Sequence, residues 1–165
     1  MIFGLLGILI VVLIVFLGVI SYNKLIRFKN IVTESRSGID VQMKEKGNLV
    51  KNLLAIIQKQ QTFESDTLEK IIKARQGLES GDTEEKVKAS DNLTHLVSVV
   101  AEQYPNLGTN ASYTKLMSQY GEVERKITYA RNRYNATVTE YNTLQQTVPY
   151  SFFKGLANCQ LEKVY

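Results

Sequence analysis

Few residues in this chain have side chains suited to chemistry, and their spacing narrows the chemistry further. His95 is the only histidine and Cys159 the only cysteine. No histidine pair exists for zinc, and Cys159 has no companion at any metal-ligand spacing. The neighbours Glu84 and Glu85 fall where a helix starts, so they complement its dipole rather than form an acid/base pair. Gly4-x-x-Gly7 lies inside an apolar run and is no phosphate-cradling loop. Asn92, Asn110 and Asn135 each open an Asn-x-Ser/Thr triplet, but two of these fall mid-helix and are best read as chance. The 9 tyrosines fall on helix seams, where they supply buried area with a polar tip. The residues thus name no catalytic group, cofactor, metal or small-molecule substrate. The net charge of +4 is modest and concentrated in one region, which also argues against nucleic acid.

What remains is a set of polar residues in apolar surroundings. Glu124, Arg131, Asn135 and Asn142 lie on or beside the seam of the last long helix. Glu124 and Arg131 are seven residues apart, as are Asn135 and Asn142, so each pair shares a face. Arg75, on a shorter helix, is placed to reach the same layer. Glu102 sits in the last turn of another helix, where the carbonyl ends disfavour an anion. It is expected to pair with a basic residue on a neighbouring helix or to face a partner. Polar groups in a seam need partners, and buried charges need them most. The set reads either as a network that fixes helix register or as a site for a ligand or partner.

The element that must position them runs from Tyr113 to Val148. Tyr113, Leu116, Tyr120, Val123, Ile127, Ala130, Tyr134, Val138, Tyr141, Leu144 and Val148 recur at alternating steps of three and four, the seam of a helix packed lengthwise on others. Its span is roughly 54 Å at about 1.5 Å per residue, so it requires long partners. The first of these runs from about Tyr22 to Phe63, with Leu25, Phe28, Val32, Ser35, Ile39, Met43, Lys46, Val50, Leu53, Ile57 and Gln60 at the same spacing. Gly38 and Gly47 weaken it by about 1 kcal/mol each relative to alanine and leave room for another helix to approach. A second segment spans about 65–78. A third begins at Asp82 or Thr83 and ends at Pro105, after which Asn106, Gly108 and Thr109 form a loop. Asn110 then caps the last helix.

Before these helices lies a different kind of sequence. Ile2 to Ile20 holds only apolar residues and three glycines, with no charge. As a helix it reaches roughly 28 Å, close to the thickness of the hydrocarbon core of a bilayer. Nothing basic precedes it, and it is longer than the apolar core of a cleaved signal, so it reads as an uncleaved transmembrane anchor. Between Ser21 and Gln60 there are eight basic residues against three acids, a local excess of +5. Lys24, Arg27 and Lys29 are the membrane-proximal basic residues, close enough to attract anionic headgroups. The positive-inside rule then puts the N-terminus outside and the domain in the cytoplasm, with the reverse topology as the alternative. The lone cysteine argues only weakly against an oxidising compartment.

Several spaced elements carry a resemblance: Tyr22-Asn23-x-Leu25; Ile39-Asp40-Val41-Gln42-Met43-Lys44; Asn52-Leu53; Ala74-Arg75; Ala101-Glu102-x-Tyr104-Pro105-x-Leu107 with Asn110; and Glu124-x-x-Ile127-x-x-Ala130-Arg131-x-x-Tyr134-Asn135 with Val138 and Tyr141-Asn142. In this order they resemble the LemA family. The resemblance implies a bacterial single-span membrane protein with an all-helical domain, and it brings no established reaction. Members commonly carry a proline where this chain has Lys51 and a second basic residue where it has Asn132.

The expected fold is therefore all-α: an N-terminal transmembrane helix followed by an elongated antiparallel four-helix bundle. Residues 1–21 form the anchor, 22–149 the bundle and 150–165 a short tail without pattern. The expected function is a protein interaction or scaffold module at the bacterial cell membrane, bound to the lipid bilayer through one span and docking a protein partner. The alternative is a self-associating structural or membrane-remodelling protein. An enzyme or ligand site within the bundle is a distant third.

Overall fold

The three-and-four spacing resolves into helices throughout. A computed structural model describes residues 2–59 and 65–165. Its described elements are α1 (Ile2–Ile57), α2 (Ser65–Gln76), α3 (Thr83–Gln103), a 3-10 turn (Pro105–Thr109), α4 (Ala111–Gln146) and the short α5 (Tyr150–Phe153). There is no strand among the described residues. The fold is all-α, a helical bundle preceded by one long apolar helical stretch. Of the expected first helix, the stretch from Gln60 to Phe63 lies outside the described residues; α1 itself gives way to a turn at Gln58 and Lys59.

Local chemistry explains the boundaries. At the start of α3 the Asp82 carboxylate accepts from the Glu85 amide at 2.9 Å, while the Glu85 carboxylate accepts from the Asp82 amide at 3.1 Å. This reciprocal box satisfies two of the amides that a helix start leaves without partners. Gly81 precedes it at φ +92, a conformation that side chains with a Cβ rarely adopt. Asn110 caps α4 with its side-chain oxygen, which accepts from the amides of Ser112 and Tyr113 at 2.9 and 3.2 Å. Between α3 and α4 the expected loop is instead wound into the 3-10 turn, opened by Pro105 and anchored by buried Leu107.

The chain divides into two units. One comprises residues up to Ser35 together with Asn132–Val164; the other comprises Arg36–Arg131 with Tyr165. In the Arg36–Arg131 unit, Ile39, Met43, Val50, Leu53 and Ile57 of α1 are buried with Ile71 of α2 and Leu78 just after it, Val87, Leu93, Val97 and Val100 of α3, and Tyr113, Leu116, Tyr120, Val123 and Ile127 of α4. Those of α1 and α4 are the expected seam positions. The close approach is not at Gly38, where a Cβ would meet nothing within 4 Å, nor at Gly47, where it would make an ordinary contact at 3.8 Å. It falls at Gly77, where a Cβ would come within 2.8 Å of the Ala89 Cβ, so that α2 and the first half of α3 pack almost backbone to backbone.

In the other unit, Leu25 and Val32 of α1 are buried with Tyr134, Val138 and Tyr141 of α4 and Ala157 of the segment after α5. Val148, the last expected seam residue, lies past the end of α4 and is 72% exposed. From Phe3 to Ile20 the apolar residues of α1 are exposed on every side, apart from the flank of Gly18. Among the described residues this is the one helix long and apolar enough to cross a membrane.

Candidate functional site

The polar residues of α4 divide between the two units. In the Arg36–Arg131 unit the centre is Lys46, a fully buried lysine on α1. Its ammonium donates to the Ser90 carbonyl, the Ser90 hydroxyl and the Thr94 hydroxyl, each at 2.7 Å. It also pairs with the Glu124 carboxylate at 2.5 Å. The Thr94 hydroxyl in turn donates to Glu124 at 2.9 Å. The ring of Tyr120 lies beside the ammonium, its centroid 5.4 Å away. One lysine therefore ties α1 to α3 and α4 in a single layer.

The periodicity explains why the charge sits there. Lys46 occupies a seam position between Met43 and Val50, and Ser90 and Thr94 lie one turn apart on α3, so both hydroxyls line one face. Burial is the larger influence on Lys46 and lowers its pKa, against the opposing pull of Glu124. Burial likewise raises the pKa of Tyr120. The Tyr120 hydroxyl is buried without a hydrogen-bond partner, as is that of Tyr113. Oxygen acceptors on α3 and α4 surround the Lys46 nitrogen. The arrangement is suited to fixing the register of three helices.

Around this layer the candidates fall differently. Arg131 pairs with Asp91 of α3 at 3.2 Å and remains partly exposed. Arg75 does not join the α4 layer: it pairs with Glu79 at 2.8 Å, one turn further along. Glu102 is exposed at the end of α3. Lys46 itself belongs to the periodic stripe but not to the candidate set. Its signal is a charge at a repeating seam position, where Glu124 is a charge beside one.

In the other unit the α4 amides hold the tail. Asn142 donates from Nδ2 to the Glu162 carbonyl at 2.8 Å and accepts at Oδ1 from the Glu162 amide at 3.0 Å. Gln145, nearly buried, donates to the Gln160 carbonyl at 3.2 Å, and the Tyr134 hydroxyl donates to the Lys163 carbonyl at 3.1 Å. Side chains of one helix face thus hold residues 160–163, a stretch of chain without helical bonds of its own. Asn135 is half-buried beside Tyr134. Burial raises the pKa of Tyr141, and neighbouring Cys159 adds to the rise.

The membrane-proximal bases also meet this segment. Lys24 donates to the Tyr150 hydroxyl at 3.2 Å, with its ammonium 5.0 Å from the centre of that ring. Lys29 donates to the Asn158 carbonyl at 3.1 Å, at a residue whose φ is 46. Arg27 is exposed. Periodicity carries no signal for these contacts, because residues 157–165 hold no repeat.

Comparison with known families bears on the same residues. The LemA family model matches residues 35–165, most of the chain. This chain belongs to the LemA family. The match takes in Lys46, Glu124, Arg131 and Asn142, together with the strapped tail. No curated protein matches the sequence.

Proposed function

We propose that this LemA-family chain is a single-span protein of the bacterial cell membrane. Its bundle faces the cytoplasm and acts as a non-catalytic scaffold on which a protein partner docks. The observation that carries this reading is the exposed apolar stretch from Phe3 to Ile20, continuous with a bundle helix. In water such a surface would associate, whereas in lipid a helix satisfies its own backbone and needs no cover. The excess of basic residues after the span supports the cytoplasmic orientation. The commitment of Lys46 and Glu124 to each other supports a structural core rather than an acid/base site.

The test has three parts. The protein should stay with membranes through alkaline washing and leave them only with detergent; release by alkali counts against the anchor. An impermeant maleimide should label Cys159 only in opened cells, and labelling in intact cells would reverse the orientation. Crosslinking in membranes should then return a reproducible heterologous partner. The second reading is that the spans self-associate, which small residues such as Gly4 and Gly7 permit. Discrete homo-oligomers in the same crosslinking experiment would select it.

A further inference from the structure

We infer that the segment around α5 is a second membrane contact, a short aromatic turn that dips into the bilayer beside the anchor. The inference rests on the proposed span and follows from depth. Phe153 packs on Gly18, where a Cβ would lie 3.2 Å from the Phe153 ring. Phe153 and Leu156 also line an apolar groove with Ile14, Val15, Val19 and Tyr22. Centred on the bilayer, the apolar run from Ile2 to Ile20, about 28 Å long as a helix, matches the hydrocarbon thickness and puts Ile20 at its edge. Gly18 is then about 3 Å, and Ile14 about 9 Å, inside the end of the span. Whatever touches them is at the depth of lipid.

The surface of the segment fits that position. Phe152 is 75% exposed and Leu156 76% exposed, although both are large and apolar. Tyr22, just past the end of the span, lines the groove and Tyr150 meets Lys24, a place where aromatic residues with one wet end are favoured. Lys24 reaches Tyr150, and the exposed Lys154 stands between Phe153 and Leu156 on the turn, where its stem can carry the ammonium to the headgroups. Backbone groups are supplied internally: the Ser151 amide donates to the Thr147 carbonyl, Ala157 to Phe153 and Cys159 to Lys154, at 2.9, 3.1 and 3.0 Å. A turn that satisfies these groups itself is one that lipid tolerates. Continuity with the anchor, basic flanks and matched depth select acyl chains at an anionic surface as the occupant.

The chain has no tryptophan, so a single one can report position. Full-length Phe152→Trp, Val11→Trp and Tyr129→Trp would each be reconstituted in phosphatidylcholine/phosphatidylglycerol vesicles with acyl-brominated lipid. All three positions are exposed, so the substitutions leave packing intact. Tyr129→Trp gives the water-exposed reference. Blue-shifted emission and loss of intensity to brominated lipid at Phe152→Trp, repeated at Leu156→Trp, is the expected result. Emission at Phe152→Trp matching the Tyr129→Trp reference, with Val11→Trp quenched, overturns the second contact and leaves the anchor standing. A blue shift without quenching places protein over the turn and also overturns it. A Val11→Trp signal matching the reference overturns the anchor, and the second contact with it.

Discussion

The two units treat the polar residues of one helix in opposite ways. In Arg36–Arg131 the α4 carboxylate Glu124 meets a fully buried ammonium, and the polar layer joins helix to helix. In the unit containing Asn132–Val164, the α4 amides Asn142 and Gln145 meet backbone, and the polar face joins helix to extended chain. The difference follows from what each partner lacks. Helices satisfy their own backbone, so only charged or hydroxyl side chains are left to pair across them. An extended tail brings carbonyls and amides that have no internal partners, and an amide side chain, which both donates and accepts, matches them.

The largest break in this comparison comes from removing one half of the buried pair. Glu124→Ala leaves Lys46 buried without a counter-charge and should destabilise the fold by about 3 kcal/mol or more. Thermal unfolding of the detergent-solubilised protein, followed by circular dichroism, would show it. The double replacement Lys46→Met with Glu124→Leu should recover most of that loss, because apolar residues of similar volume need no partners. A double variant as unstable as Glu124→Ala would mean that the layer contributes more than charge compensation.

Asn142→Ala should act locally. It removes two hydrogen bonds to Glu162, each worth about 1 kcal/mol, from a segment that the helices do not need in order to form. Hydrogen exchange should show faster exchange of the Glu162 amide with the α3 amides unchanged. Asn142→Asp sharpens the result, since it keeps the acceptor for the Glu162 amide but sets a carboxylate oxygen against its carbonyl, and should loosen the segment at least as much. Uniform loss of protection throughout the chain would instead make the tail part of the cooperative core.

Much of the fold is legible in the amino-acid sequence alone. Ile39, Met43, Val50 and the α4 tyrosines Tyr113, Tyr120, Tyr134 and Tyr141 announce their burial by spacing, and Asp82 and Asn110 announce helix starts by type. Glu124 is recognisable as a charge in a seam, but its partner is not, because periodicity gives a face and not the identity of the facing residue. Arg75 shares a face with the core, yet its long side chain finds Glu79 one turn along before it reaches α4. The tail carries no signal at all. Its order depends on Asn142 and Gln145, more than ten residues earlier in sequence, and on backbone groups that every residue has. Gly77 is likewise silent, since only the presence of Ala89 opposite makes its missing Cβ matter.

Titration should act alike on the tyrosines of both units and oppositely on Lys46. Tyr120 lies in one and Tyr141 in the other, and burial raises both above the ordinary tyrosine value of 10.0. A group whose folded pKa is raised contributes stability that is complete below its unfolded pKa and is lost as pH climbs toward the folded one. Stability should therefore fall above about pH 10, and Tyr120→Phe and Tyr141→Phe should each flatten that fall. Lys46 has the opposite sign: its pKa is lowered, so at alkaline pH the unfolded chain holds the proton more tightly and the burial penalty is relieved as pH rises toward 10.5. The Lys46→Met, Glu124→Leu pair should consequently show a steeper alkaline decline than the parent. Tyr120→Phe should cost little at neutral pH, because its hydroxyl has no partner to lose.

The smallest effect tests whether position or burial decides the worth of a charge. Arg131 is seven residues from Glu124 on the same face, and by spacing the two are equivalent. Its pair with Asp91, however, is 29% and 63% exposed, whereas Lys46 is 0% exposed. Water already solvates the Asp91 carboxylate, so Arg131→Ala strands no buried charge and should lower stability by less than about 1 kcal/mol. Arg133, paired with Glu34 at 3.4 Å in the other unit and exposed on both sides, should fall in the same range when replaced by alanine. Salt separates the cases further, because raising ionic strength should erase the small Arg131 and Arg133 effects while leaving the Glu124→Ala loss intact. An Arg131→Ala loss as large as that of Glu124→Ala would mean that the two residues belong to one coupled layer, and that the face they share matters more than the solvent each one meets.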